Sequence, residues 1–324
     1  MKAIICRELG APSVLRLEER PIQNLSTDGV RIQVRAAGIN FPDILMVAGK
    51  YQHKPALPFV PGFEISGEVV ETGPECVAFK SGDRVMASMR TGGYAEECVV
   101  ASEAVRHMPI PFDFAQGAAF QVGYSTAYVA LVRRANLTKE ETLLVHGATG
   151  GVGLAAVELG RVLGAKVIAT VSKKEKVEPA IRAGAAHVIV LNQNGFRDLV
   201  KEFTNGNGAD VIYDPVGGSI FDESLRCIAW GGRLLVVGFA GGRIPNAPAN
   251  RILIKGCSVV GVRAGEFARR DPVRGQENYQ TLLKLANNSR LKPLIHARLP
   301  LHQVTEAMSL LTERKVVGKV VLVP

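Results

Sequence analysis

Seven residues near the middle of the chain carry the clearest chemical signal: Gly147, Ala148, Thr149, Gly150, Gly151, Val152 and Gly153. Glycines so spaced let the backbone turn tightly, and the amide N–H groups that open the following helix can then face a pyrophosphate. The register is Ala148, Gly150, Gly153, so the first glycine of a G-x-G-x-x-G pattern is replaced and Gly147 takes part of its turn role. Residues 142–146 and 166–172, on either side, are short runs of β-branched and aliphatic residues, as buried parallel strands are. Between them Val152, Ala155, Ala156, Leu159, Val162 and Leu163 recur at three- and four-residue steps, which predicts a helix with one apolar face. Strand, glycine turn, helix and strand within about 30 residues is what a βαβ dinucleotide-binding unit requires.

The second strand of such a unit ends, in NAD-preferring sites, on an Asp or Glu that takes the ribose 2′-hydroxyl about 20 residues after the glycines. Here the segment reads Ser172, Lys173, Lys174, Glu175, Lys176. A carboxylate would repel a 2′-phosphate, whereas a hydroxyl and lysines attract one. NADPH is therefore the expected cofactor. A solvated helix start accounts for the same lysines, and Glu175 is the residue that an NAD ribose would use.

The elements that must position these residues follow from the rest of the chain. Its 324 residues suffice for two domains, each with a core. Residues 1–123 read as short strands punctuated by Pro61-Gly62, Gly67, Asp83 and Gly92-Gly93, which predicts a partly closed β-barrel. From 124 onward helix and strand alternate. Helices are expected at Val177–Ala183, 196–203 and 220–229, and strands at 187–191, 211–214, 233–239 and 258–262, which makes a doubly wound parallel sheet. A helix over 275–290, another at Val304–Thr312 and a last strand over 318–323 return the chain to the first module. The expected division is 1–123 plus 263–324 for one domain, with 124–262 inserted as the other.

Composition narrows the function classes. A hydrophobic content of 47% with 21% charge is that of an ordinary globular protein. No apolar run reaches the ~18–20 residues of a membrane span and no signal peptide opens the chain, so a cytoplasmic location is expected and no membrane partner. The five cysteines, at 6, 76, 98, 227 and 257, form no C-x-x-C and no metal-ligand spacing. Residues 1–123 hold 12 basic and 14 acidic side chains, 124–260 hold 16 and 11, and 261–324 hold 11 and 5, so the excess of +9 lies with the glycine motif and the tail. An anionic cofactor favours that placement. No nucleic-acid-binding motif accompanies it, so nucleic acid is not an expected partner.

Taken together, Ala37-Gly-Ile-Asn40-Phe-Pro-Asp43, Pro61-Gly-Phe-Glu64, Gly82-Asp-Arg-Val85, Gly93-Tyr-Ala-Glu96, Gly123-Tyr-Ser-Thr126, the glycine loop and Val237-Gly238-Phe239 resemble the medium-chain dehydrogenase/reductase superfamily, and within it the zinc-free quinone oxidoreductase branch. The resemblance runs nearly end to end. It implies an α/β fold in which a Rossmann domain is inserted in a GroES-like, partly open β-barrel catalytic domain. Zinc-dependent relatives carry a cysteine ligand near Asn40 and Gly-His-Glu where this chain has Gly62-Phe63-Glu64, and phenylalanine has no ligand atom. No metal is expected. Without a Lewis acid, hydride transfer favours acceptors that are already electron-poor: quinones, or alkenes conjugated to a carbonyl.

The resemblance also implies roles for single residues. Asn40, Asp43 and Tyr51 fall on the reacting side: Asn40 as an amide donor, Asp43 as its orienting partner, Tyr51 as a hydroxyl that hydrogen-bonds or protonates the reduced acceptor. Asn40 as a helix cap and Tyr51 as a wall are the bland counterparts. Lys176 and Arg314 match the pair that holds the 2′-phosphate, whereas Leu191 stands where relatives often have a tyrosine. Thr126, Gly238, Phe239 and Val262 fall near the nicotinamide. Four arginines within residues 263–274 suggest an acyl-CoA enoyl thioester as an alternative acceptor; a solvated helix partnered by Glu266 and Asp271 is the simpler explanation of them. A third reading is an NADPH-binding protein with weak turnover and a binding role. Homodimers are expected, with the strand after Cys257 as a candidate joining edge.

Overall fold

The computed structural model describes residues 1–191 and 195–324, and divides into two compact units, Met1–Val122 with Lys292–Pro324, and Gly123–Leu291. The first unit contains the strands β1 (Lys2–Ile5), β2 (Arg16–Glu19), β3 (Gly29–Gly38), β4 (Glu64–Thr72), β5 (Arg84–Ser88), β6 (Glu97–Ala101) and β7 (Val105–His107), with the helices α1 (Phe41–Val47) and α2 (Phe114–Ala118). The helix α3 (Gln121–Tyr128) leads into the second unit. There the parallel strands β8 (Thr142–Val145), β9 (Lys166–Val171), β10 (His187–Val190), β11 (Ala209–Asp214), β12 (Ile228–Val236) and β13 (Ser258–Gly261) alternate with α4 (Gly151–Val162), α5 (Val177–Ala183), α6 (Arg197–Phe203), α7 (Gly218–Cys227) and α8 (Ala249–Lys255). The helices α9 (Ala264–Arg270) and α10 (Pro272–Asn287) follow, and β14 (Ile295–Pro300), α11 (Val304–Thr312) and β15 (Lys319–Val323) complete the first unit.

In the first unit the main sheet runs β14-β15-β3-β4-β5-β7, antiparallel except for the β14–β15 pair. The ten-residue β3 organises it. One edge pairs with β4 along its length; the other is shared, with β6 bound to residues 29–33 and β15 to residues 37–38. Inward residues from these strands, among them Ile32, Ile65, Val85, Val320 and Leu322, make the core, closed by Leu301, Val304 and Met308. A strand that must bury one face alternates, and β3 does so through Val30, Ile32 and Val34.

In the second unit the order β10-β9-β8-β11-β12-β13 reverses direction between β8 and β11, as a doubly wound sheet does. The strands pair in parallel throughout, and Leu144, Ile168, Ile212 and Leu234 are almost wholly buried among helices. Two expectations differ in detail. The helix α4 buries Ala155, Ala156 and Leu159 of the predicted stripe but leaves Val152, Val162 and Leu163 half-buried, and its close approach to the sheet is at Gly160, where a Cβ would lie 2.5 Å from Leu143. The segment 263–291 packs with the second unit instead of the first. Arg133, after α3, reaches α10 there, donating to Asn278 at 2.7 Å and Glu277 at 2.8 Å.

A buried histidine fastens this sheet directly beneath the glycine turn. His146 follows β8, is fully buried, and lies 3.0 Å from Thr170 Oγ1 through Nδ1 and 2.8 Å from Ser224 Oγ through Nε2. Ser224 donates its own proton to Ile220 O, so it accepts from the ring, and His146 carries its proton on Nε2. Both ring nitrogens are occupied without any charge, and burial holds the imidazole down at about 3. The unfolded chain takes up a proton below 6.5 and the folded chain does not. Stability from this group is therefore complete above pH ~6.5 and falls by up to about 1.4 kcal/mol per pH unit as the solution is acidified toward pH ~3. Thermal melts of wild type and His146→Gln between pH 8 and about 4 should show a shallower acid limb in the variant; parallel limbs would contradict the assignment.

Candidate active site

On the second unit the candidate residues collect at the carboxyl ends of the parallel strands. Gly147 leaves β8 in the left-handed region (φ 55°) and its carbonyl accepts the Gly150 N–H at 2.9 Å, closing the turn. The Ala148 N–H is held by Thr170 O at 3.1 Å, which fixes the turn to β9. Gly153 admits no side chain: a Cβ would stand 2.2 Å from Gly147 O. Gly150, the N-cap of α4, is different, since a Cβ there would meet only Gly147 O at 3.4 Å. The loop is thus packed from below by Gly153 and left open above Gly150, next to the N–H groups of the first turn of α4. Gly147, Ala148, Thr149, Gly150, Gly151, Val152 and Gly153 therefore fit a pyrophosphate.

Around that loop, Ser172 is exposed immediately after β9, with no carboxylate at the strand end. Lys173 is turned to Glu175 at 3.6 Å, and Lys176 is 6% exposed, a covered lysine rather than a projecting one. The Leu191 N–H is bonded to Val171 O at 2.8 Å, and its partly buried side chain packs against the core of the sheet. Thr126 lies half-buried on α3. Gly238 and Phe239 follow β12, where the Val237 N–H is bound by Asp214 O at 2.9 Å; Phe239 is partly exposed. Val262 follows β13, buried, with its N–H on Val236 O at 3.0 Å. Arg314 belongs to the first unit, exposed in a left-handed turn (φ 56°) after α11.

On the first unit the loop between β3 and α1 meets the start of β4 in a closed polar network. Lys319 Nζ donates to Ile39 O at 2.9 Å, Asn40 Oδ1 at 2.6 Å and Glu64 Oε1 at 2.8 Å. Asn40 Nδ2 donates to Glu64 Oε1 at 3.0 Å and to Gly38 O at 3.4 Å, and Glu64 Oε2 accepts the Val122 N–H at 2.9 Å. Asp43 takes the Asn40 N–H at 2.8 Å and the Gly62 N–H at 3.1 Å. Burial pushes the Asp43 carboxyl up to about 7, against the Tyr94 hydroxyl, the Asn40 N–H and the Lys319 ammonium, which pull it down. This geometry corrects the expected role of Asn40: both ends of its amide are spent inside the protein, so it braces the loop and has no proton to offer an acceptor. Asp43 is an orienting partner in the same brace. Tyr51 stands apart, half-buried, with its ring edge-on to Phe63 at 5.6 Å between centroids.

The arginines of residues 263–274 are bound locally. Glu266 accepts Arg269 and Arg270 at 2.8 Å each and lies 4.0 Å from Arg263, while Asp271 is 3.6 Å from Arg274. Those ion pairs hold the Glu266 carboxyl down at about 2, chiefly through Arg270 and then Arg269. They support the solvated-helix reading of this cluster.

Two groups went unremarked in the sequence. Lys319 is a lone charge within the apolar run 316–323, and a lysine inside a buried strand demands a carboxylate, so the signal was present. Asp214 ends β11, 1% exposed, and its Oδ1 accepts the N–H groups of Val216 at 2.8 Å and Gly217 at 2.9 Å. Burial raises its carboxyl and these two bonds oppose that. Asp214 thereby shapes the second glycine-bearing turn beside the first, where Pro215 and Val216 border Gly147. Among the described residues no group of three His, Cys, Asp or Glu is placed to hold a metal ion.

Comparison with known proteins agrees with this architecture. Residues 26–142 match the family model described as alcohol dehydrogenase GroES-like domain, and residues 151–288 that described as zinc-binding dehydrogenase. A quinone oxidoreductase-like protein 2 homolog of Nematostella vectensis is 45% identical over 99% of this chain and 88% of its own. The Escherichia coli quinone oxidoreductase complexed with NADPH superposes with a TM-score of 0.92 at 28% identity, covering 100% of both chains. A mycobacterial protein complexed with NADPH does so with a TM-score of 0.93 at 31% identity, again over 100% of both. The chain belongs to the zinc-free quinone oxidoreductase branch of the medium-chain dehydrogenase/reductase superfamily, a GroES-like unit that carries an inserted Rossmann-type nucleotide-binding unit.

Proposed function

We propose that this protein is an NADPH-dependent, zinc-independent oxidoreductase that reduces quinones or alkenes conjugated to a carbonyl. The observation that carries the reading is the glycine loop over 147–153, packed from below at Gly153 and open at Gly150, followed by a β9 end that bears Ser172 in place of a carboxylate. The chemistry supplied by the bound cofactor is hydride transfer to an electron-poor double bond.

The chain's own residues do the rest. The N–H groups at the start of α4 bind the pyrophosphate, and Ser172 and Lys176 receive the 2′-phosphate. Thr126, Gly238, Phe239 and Val262 border the nicotinamide. Leu191 offers no hydrogen bond where relatives often have one, so the preference for NADPH over NADH is moderate. Tyr51 supplies the hydroxyl that hydrogen-bonds the reduced acceptor, while Asn40 and Asp43 hold the loop over residues 38–43 in place. Phe63 has no ligand atom and Glu64 is neutralised by Lys319, so the acceptor must be activated by its own conjugation.

The cell compartment and assembly belong to the same reading. No helix among the described residues is long and apolar enough to cross a membrane, and the five cysteines are free and buried, which suits a cytoplasmic protein. The outer strand β13 and the neighbouring exposed Trp230, Leu253 and Ile254 support a homodimer joined along that edge.

Three measurements test these statements. Tyr51→Phe should lower kcat by about 10–10²-fold on quinone and enone alike while KM for NADPH stays put; equal loss of NADPH affinity would make Tyr51 a wall. Lys176→Ala should raise KM for NADPH by about tenfold and leave NADH kinetics unchanged, and equal effects on both cofactors would remove it from phosphate binding. Sedimentation should give a dimer that Leu253→Glu with Ile254→Glu converts to monomer; a wild-type monomer refutes the edge pairing.

A further inference from the structure

We propose that Lys319 is a positioning residue for the reacting side of the first unit: its buried ammonium fixes the side-chain amide of Asn40 and, through it, the loop over residues 38–43. The inference rests on the reductase reading for its kinetic consequence and on geometry for the rest.

An ammonium has only protons to give, so the Asn40 atom 2.6 Å from Nζ is Oδ1, and the amide orientation follows without ambiguity. Nδ2 is thereby turned to Glu64 Oε1 and Gly38 O. The three protons of Lys319 meet three acceptors, and Glu64 accepts from Lys319, Asn40 Nδ2 and the Val122 N–H. Side-chain exposures of 7% for Lys319 and 0% for Glu64 leave neither charge the option of exchanging its partner for water. Asp43 extends the lock, tying the Asn40 N–H to the Gly62 N–H on the segment that carries Phe63 and Glu64. Charge balance and orientation are separable in this arrangement. Deleting the ammonium alone strands a buried carboxylate, whereas neutralising both groups relieves the electrostatic cost but leaves Asn40 Oδ1 with no obligatory donor.

The test compares wild type, Lys319→Met and the double variant Lys319→Met/Glu64→Gln. It reads melting temperature, kcat with a quinone, NADPH affinity, and exchange of the Asn40 side-chain amide protons, identified in the NMR spectrum by their loss in Asn40→Ser. The single variant should melt well below wild type. The double variant should regain most of that loss, bind NADPH as wild type does, and stay about 10–10²-fold down in kcat with fast-exchanging Asn40 amide protons, because misplacement by about an ångström costs on that order. A double variant with wild-type kcat and protected amide protons would overturn the proposal and leave Lys319 a charge-balancing role only. If the wild-type chain turns over no quinone or enone, the reductase reading fails by itself; slow exchange in wild type and fast exchange in the double variant still support positioning, and unchanged exchange still refutes it.

Discussion

A buried ammonium must find three acceptors, and in this chain the search for them ties together the exit of β3, the entry to β4 and the start of α3. Lys319 enters on the last strand, Ile39 and Asn40 on the exit of β3, Glu64 on the entry to β4, and Val122 at the start of α3. Removing one member of such a buried pair typically costs about 3–5 kcal/mol, because the other charge is left without water or partner. The fold therefore tolerates few alternatives at this point, and Asn40 and Asp43 inherit their geometry from it.

The nucleotide-binding unit rests on a different constraint, a steric one. Gly153 lies so close to Gly147 O that no Cβ fits, and Gly160, about two turns further along the same face, packs against the Leu143 side chain. The two contacts press α4 onto β8 and bring its first turn to the open edge of the sheet. His146 and Asp214 support the same edge from below and from the side, one as a neutral ring between Thr170 and Ser224, the other as an acceptor of two backbone N–H groups.

How much of this was legible in the sequence depended on the range of the interaction. The strand–glycine–helix–strand unit was readable because its signals are local: periodicity of two or 3.6 and glycines at fixed offsets. The doubly wound parallel sheet followed from alternation of helix and strand, whereas its strand order rests on pairings between distant segments. The end of the inserted unit was harder to place, because what holds α10 to it is a pair of bonds from Arg133, some 145 residues away. The bracing of Asn40 was not readable, since its amide is committed by Lys319 at a separation of 279 residues. The arginines of residues 263–274 illustrate the reverse case, a charge cluster whose partners Glu266 and Asp271 lie within four residues.

In the proposed reaction, hydride leaves NADPH for an electron-poor acceptor with no metal to receive the developing charge. Stopped-flow observation of NADPH absorbance after mixing with a quinone, in protein dialysed exhaustively against a zinc chelator, checks this. NADPH should be oxidised at the same rate before and after chelation. Loss of oxidation on chelation with recovery on adding zinc, or no oxidation in either sample, would contradict it.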